Sequence, residues 1–332
     1  MEKVITLAHG AGGAQTASLI GSIFKKYLDN PDFTGDDAAV LQAPKGKMAM
    51  STDGFVVSPS FFPGGNIGEL SVCGTVNDLS CMGAKPQYMT CSFQIEEGFE
   101  IEKLEKIVQS MQKIAHKVGV HFVAGDTKVV GKGQVDGLFI TTTGVGEIQP
   151  GIQVSGANAK AGDKILVTGD IGRHGCTILL ARNHFSIQAD VTSDCQELWH
   201  TVEAMIATTT DLHCIRDATR GGVGTVLYEI AAESQVGIRL YQDQIPVMDS
   251  VKGVCGFLGL EPLYLACEGR MVVVVPAQQA KAILAVLKEK NEMAAVIGEV
   301  TEENVGKVVV HTPFGAQTIL PQPTGELLPR IC

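Results

Sequence analysis

Aromatic residues are scarce, at 5% of 332 positions with a single tryptophan, and cations are outnumbered, with 26 Lys and Arg against 36 Asp and Glu for a net charge of −10. That balance excludes a broad nucleic-acid-binding or anionic membrane surface, and leaves an anionic substrate held by a few local cations. Long hydrophobic runs are missing too. The longest all-apolar stretches, such as residues 271–275, fall far short of the ~20 residues of a membrane span, and the start Met-Glu-Lys opens no secretory signal. The nine cysteines form no CxxC pair and no Cys/His zinc spacing, so they read as reduced thiols of a cytoplasmic protein. GxxxxGK, GxGxxG, HExxH and GxSxG are all absent. With them go the P-loop, dinucleotide, zincin and hydrolase fingerprints.

What is present suits a compact α/β enzyme of two domains. Residues 100–118 place Ile101, Leu104, Ile107, Val108, Met111, Ile114, Ala115 and Val118 on one helical stripe. Residues 68–82 read as a helix of small residues, and 48–51, 120–124 and 138–145 as strands. The Gly-, Pro-, Ser- and Asn-rich run 144–161 is the best linker. Beyond it, strands are expected at 164–168, 271–275, 294–300 and 307–311, and helices at 194–207, 223–234 and 277–290. The boundaries adopted are 1–148 for an N-terminal domain, 149–312 for a C-terminal domain and 313–332 for a mobile tail.

Several stretches carry chemistry. LAHGAGG at 7–13 runs into a helix, where converging N–H groups and the helix dipole suit a phosphate, although a plain turn fits equally. Acidic residues recur beside short apolar segments: Asp36 and Asp37, Asp53, Asp78 and Asp126. Singly, each is a turn former or a cap. Converging on adjacent elements, they would form an oxygen-rich site for Mg²⁺ and phosphates. Lys128 lies within reach of a phosphate or a reacting group, and Glu268, before the 271–275 strand, is an acid or base if buried. The segment 216–222, RDATRGG, sets two cations and a carboxylate before a helix; the glycine-rich loop 169–175 is a candidate lid. The last twelve residues carry three prolines and end on Cys332. Stretched, they span roughly 40 Å at ~3.3 Å per residue, so this cysteine is either incidental or a thiol on a reaching arm.

Taken together and in this order, the glycine-rich start, GDDAAV (35–40), STD (51–53), ND (77–78), GDT (125–127) and DATRGGV (217–223) resemble the PurM-like ATP-binding family, which includes aminoimidazole ribonucleotide synthetase and thiamine-monophosphate kinase. FFPGGNIG (61–68), GDTKVV and the ending PRIC are similar to its hydrogenase-maturation branch. The resemblance implies a two-domain α/β subunit, dimerising through its N-terminal mixed sheet, that binds ATP and Mg²⁺. Asp37, Asp53, Asp78 and Asp217 would hold the metal. His9, Gly10, Gly12, Gly13, Asn77, Asp126, Thr127 and Arg220 would join those acids around the nucleotide. The implied activity is ATP-dependent dehydration of a carbamoyl group on Cys332 to a thiocyanate, with Glu268 and Lys128 as proton-transfer groups. The implied partners are a HypF-like carbamoyltransferase that loads the thiol and a HypC–HypD complex that takes the cyanide.

Overall fold

The computed structural model describes residues 3–33, 38–182 and 187–322. Asp36, Asp37 and Cys332 lie outside the described residues. Near the N-terminus a 3-10 turn (Leu7–Gly10) leads into helix α1 (Ala14–Leu19), a π-helical stretch (Ile20–Lys25) and α2 (Lys26–Leu28). A four-stranded mixed sheet follows, built from β1 (Met48–Phe55), β4 (Ala84–Glu96), β5 (His121–Val130) and β6 (Leu138–Ile148) in the order β1-β6-β4-β5. Only β4 and β5 run parallel. A short hairpin, β2 (Phe61–Phe62) and β3 (Gly65–Asn66), precedes helix α3 (Ile67–Cys81).

Helix α3 and α4 (Ile101–Val118) pack together against one face of this sheet. The stripe on α4 is buried from Leu104 to Val118, each of its Leu, Ile, Val and Met side chains contributing roughly 1.5–3 kcal/mol. Gly119 ends it in the left-handed region at φ 80°, where glycine carries no Cβ penalty. Helix α3 is buried nearly all round because its small residues permit close approach. A Cβ on Gly68 would stand 2.3 Å from the Ile107 carbonyl oxygen, so glycine sets the spacing between the two helices.

The second half forms a seven-stranded sheet from β7 (Lys164–Val167), β8 (Cys214–Asp217), β9 (Gly237–Tyr241), β10 (Met271–Val275), β11 (Ala295–Thr301), β12 (Val308–His311) and β13 (Gln317–Ile319), ordered β13-β12-β9-β11-β7-β10-β8. Helices α5 (Arg173–Ala181), α6 (Trp199–Thr208), α7 (Gly222–Glu233), α8 (Asp249–Leu258) and α9 (Ala277–Lys290) surround it. Strand β10, MVVVV, is buried at every position, as a strand covered on both faces must be.

Four expectations change. β6 continues through Ile148, so the first part of the proposed 144–161 linker is strand paired with β1 and β4. The helix expected from 194 starts only at Trp199, because the Asp194 side chain is engaged with other loops instead of capping it. β13 pairs with β12 inside the segment read as tail. The 169–175 loop is no lid: it is buried apart from partly exposed Arg173, and Arg270 donates from Nε to the Asp170 carbonyl (2.9 Å) and from Nη2 to its carboxylate (2.8 Å). Among the described residues no helix is long and apolar enough to cross a membrane, and the eight described cysteines are buried and form no disulfide.

Candidate active site

An acidic cleft forms where the two sheets meet through α3. Asp53 lies inside β1, not in a turn after it, because β1 stays paired with β6 as far as Phe55. Its side chain faces α3: a Cβ on Gly74 would stand 3.9 Å from Asp53 Oδ2. Asp78 is in the last turn of α3 and accepts a 2.5 Å hydrogen bond from Ser51 Oγ. Asp217 closes β8, opposite Met271 of β10, and Glu268 stands just ahead of that strand. Ser51, Asp78, Arg216 and Asp217 line a cleft of about 400 Å³.

The electrostatics reveal how close these acids are. Burial, then the Asp78 and Asp217 carboxylates, push Asp53 up to about 6, with Arg220 opposing. Asp217 is likewise pushed up to about 6 by burial and by Asp78. Burial also raises Asp78, against the hydrogen bond from Ser51. Glu268, only 3% exposed, is held well above the carboxylate range by burial first and then by Asp217, Asp194, Asp53 and Asp78. A group so raised holds its proton more tightly than an ordinary carboxyl, and gives it up more readily when a cation arrives.

Among the described residues no three His, Cys, Asp or Glu close into a ready-made metal cage. The donor set nevertheless fits Mg²⁺. Crowded carboxylate oxygens carry a charge surplus that a hard divalent cation relieves, and Mg²⁺ is ordinarily held by one or two carboxylates together with substrate phosphates.

The glycine-rich turn sits against the β5 edge of the first sheet. Gly10 packs so closely on Val129 that a Cβ would meet that side chain at 2.9 Å. Gly12 adopts φ 83°, and its N–H donates to Thr16 Oγ1 (2.9 Å), while Gly13 opens α1 with nothing near its Cβ position. His9 is turned inward: its Nδ1 accepts from the Thr6 N–H at 3.1 Å. Beside the turn, Phe24, Lys25, Phe33, Phe93, Asp126 and Thr127 line a pocket of about 460 Å³.

Three assigned residues stand elsewhere. Asn77 is 3% exposed, and both ends of its amide are engaged by backbone of the second half: Nδ2 donates to the carbonyls of Gln196 (3.1 Å) and Glu268 (3.3 Å), and Oδ1 accepts from Leu198 N–H (2.8 Å). It staples the two halves through both ends of its amide. Asp126 and Lys128 pair with each other at 2.9 Å, away from the acids. Register explains this. Asp53, Thr142, Cys91 and Gly125 share one row across the sheet, and Thr142 Oγ1 bonds to Ser71 and Thr75 of α3. The next positions, Asp126 and Lys128, therefore alternate onto the opposite face. The rows at β1 and β5 lie three strand spacings apart, about 14 Å. Within one chain Lys128 does not join Glu268. Sequence reasoning overlooked Asp194 and Arg270, both buried beside the Glu268 segment; a buried charge carries no local sequence signal.

Two α/β halves meeting over a carboxylate cleft define the class of this molecule. Residues 35–148 match the AIR synthase related protein N-terminal domain, and residues 160–311 its C-terminal domain. The carbamoyl dehydratase HypE of Azotobacter vinelandii is 44% identical over 331 residues, 99% of this chain and 97% of that protein. A crystal structure of the hydrogenase maturation protein HypE in complex with ATP superposes with a TM-score of 0.94 at 45% identity, covering 98% of this chain and 99% of that one. The HypE–HypF complex matches with a TM-score of 0.81 at 44% identity, covering 94% and 100%. The chain belongs to the AIR synthase related family and, within it, to the HypE carbamoyl dehydratases of hydrogenase maturation.

Proposed function

We propose that this enzyme uses ATP to dehydrate a carbamoyl group carried on the Cys332 thiol, yielding a thiocyanate that supplies cyanide ligands to the iron of a [NiFe]-hydrogenase. The observation that carries the reading is one cleft lined by Asp78 and Asp217, with Asp53 and Glu268 close enough to be raised by their charge, in a chain of this family. The overall step is S–C(=O)–NH₂ plus ATP giving S–C≡N plus ADP and phosphate. Amide oxygen leaves poorly, so it first attacks the γ-phosphorus; the C–O bond of the resulting ester then breaks with phosphate as leaving group. Two N–H protons depart as the nitrile forms, one of them carried away on the released phosphate. Glu268, once ionised, is the base for one of them, since burial and neighbouring charge give it a high proton affinity.

Asp53, Asp78 and Asp217, with Asp37, would hold Mg²⁺, which when bound neutralises charge on the phosphates. Arg220, which lowers Asp53 through its charge, supplies a cation at the same cleft. The Gly12–Gly13 turn and the adjacent pocket stand with Asp126 at the β5 edge and would accommodate the nucleotide held at the other subunit's acids. ATP binding is supported by the ATP complex of the relative described above.

The outer face of the first sheet supports a homodimer. Met50, Thr52, Thr143, Val145 and Thr90 leave it partly or fully exposed, whereas α3 and α4 cover the inner face. Packing two such faces together buries them and lets Asp126 and Lys128 of one subunit serve the site of the other. A HypF-like carbamoyltransferase would load Cys332, a reading that the HypE–HypF assembly of a relative supports, and a HypC–HypD complex would take the cyanide. Replacement of Cys332 by Ala tests the reading: it should abolish carbamoyl loading and product formation while leaving nucleotide binding intact. Full dehydration of a free substrate by that variant would overturn it.

A further inference from the structure

The segment that presents Glu268 is held by a residue from another loop. The Asp194 side chain is fully buried. Its Oδ1 accepts from the backbone N–H of His174 (3.1 Å) and of Glu268 (3.4 Å), and its Oδ2 accepts from the N–H of Gly269 (3.4 Å). Arg270 Nε lies 4.0 Å from the same Oδ2, while its Nη2 is committed to Asp170 at 2.8 Å. The backbone of residue 194 closes the clamp, since a Cβ on Gly269 would stand 1.9 Å from the Asp194 carbonyl oxygen. Burying a carboxylate costs several kcal/mol unless it is paired and hydrogen-bonded. Here two of its three hydrogen bonds go to Glu268 and its neighbour, and the third to the first turn of α5.

We infer that Asp194 is a positioning residue for catalysis: by gripping the Glu268–Gly269 backbone it fixes where the Glu268 carboxyl stands relative to the other acids. This rests on the reading of Glu268 as the proton-transfer group. Asp194 touches no reacting atom. Its effect passes through the placement of one side chain, and a shift of about 1 Å in a reacting group is enough to cost on the order of 10²-fold in rate. Asn77 holds the same segment from the other side, through the Glu268 carbonyl. The two together grip both polar groups of the Glu268 backbone.

The test uses the full-length protein carrying a carbamoylated Cys332 and measures kcat for dehydration and KM for ATP. Asp194→Asn keeps the shape but turns an acceptor into an NH₂ facing an N–H donor. Gly269→Ala loosens the clamp from the other side without altering a charge. Both variants should lower kcat at least tenfold with KM for ATP within twofold of wild type, and Asp194→Glu should recover part of the loss. A variant whose KM rises in step with the fall in kcat would assign Asp194 to general structure and overturn the inference. So would an unchanged kcat in Asp194→Asn. Glu268→Gln separates the two ideas: an active Glu268→Gln protein refutes the base, whereas an inactive one beside a fully active Asp194→Asn refutes only the clamp.

Discussion

Replacing Asn77 by Ala decides between a residue that binds nucleotide and one that staples two halves. The side chain makes three hydrogen bonds to backbone groups of the second half, at 2.8, 3.1 and 3.3 Å, from a nearly inaccessible position. At about 1 kcal/mol net for each such bond, truncation removes about 3 kcal/mol, with more lost if the orphaned groups stay dry. At 2–4 °C per kcal/mol, the loss lowers the melting temperature by roughly 6–12 °C. Asn77→Asp should be no milder, since a carboxylate cannot donate to the Gln196 and Glu268 carbonyls and adds charge beside Asp78. Differential scanning calorimetry without nucleotide reads the effect directly. An Asn77→Ala protein that melts with the wild type but binds ATP tenfold more weakly would refute the staple and return Asn77 to the nucleotide site.

Asp78→Asn should abolish ATP-dependent turnover and weaken Mg²⁺ binding at least tenfold by isothermal titration, with normal metal affinity counting against the cleft as the metal site. Because Asp53 and Asp217 hold their protons up to about 6, Mg²⁺ must displace protons there. Its affinity should fall as pH drops below about 6, with proton release on binding, and a pH-independent affinity would contradict the assignment. Their raised values also mean that the metal-free protein loses stability as pH rises from about 4 through about 6, because the folded state binds the extra protons. Thr143→Arg on the open sheet face should convert a dimer to monomer in sedimentation velocity; an unaltered dimer would place the interface elsewhere.

The elements that could be read along the chain are those whose burial repeats locally. Helix α4 shows its core stripe at helical spacing, and β10 is a bare run of valines between turn residues. The sequence reading marks no strand over Ala84–Glu96, although Met89, Cys91, Phe93 and Ile95 alternate with polar residues and point inward, so a legible period-2 signal was passed over there. Asp53, Asp78, Asp217 and Glu268 were legible as acids, and their meeting followed from motif order. What escaped was everything fixed by pairing between distant strands. Only the register of β5 against β4 turns Asp126 and Lys128 away from the cleft, and only the fold brings the Asn77 amide against residues 196–198.

The central claim is tested most directly by weighing the peptide that contains Cys332. Protein loaded by a carbamoyl-donor system and given MgATP should carry a carbamoyl adduct that loses the mass of one water, and should keep the full adduct when ATP is withheld. An adduct that stays whole with MgATP present, or sheds water equally without it, would contradict the account.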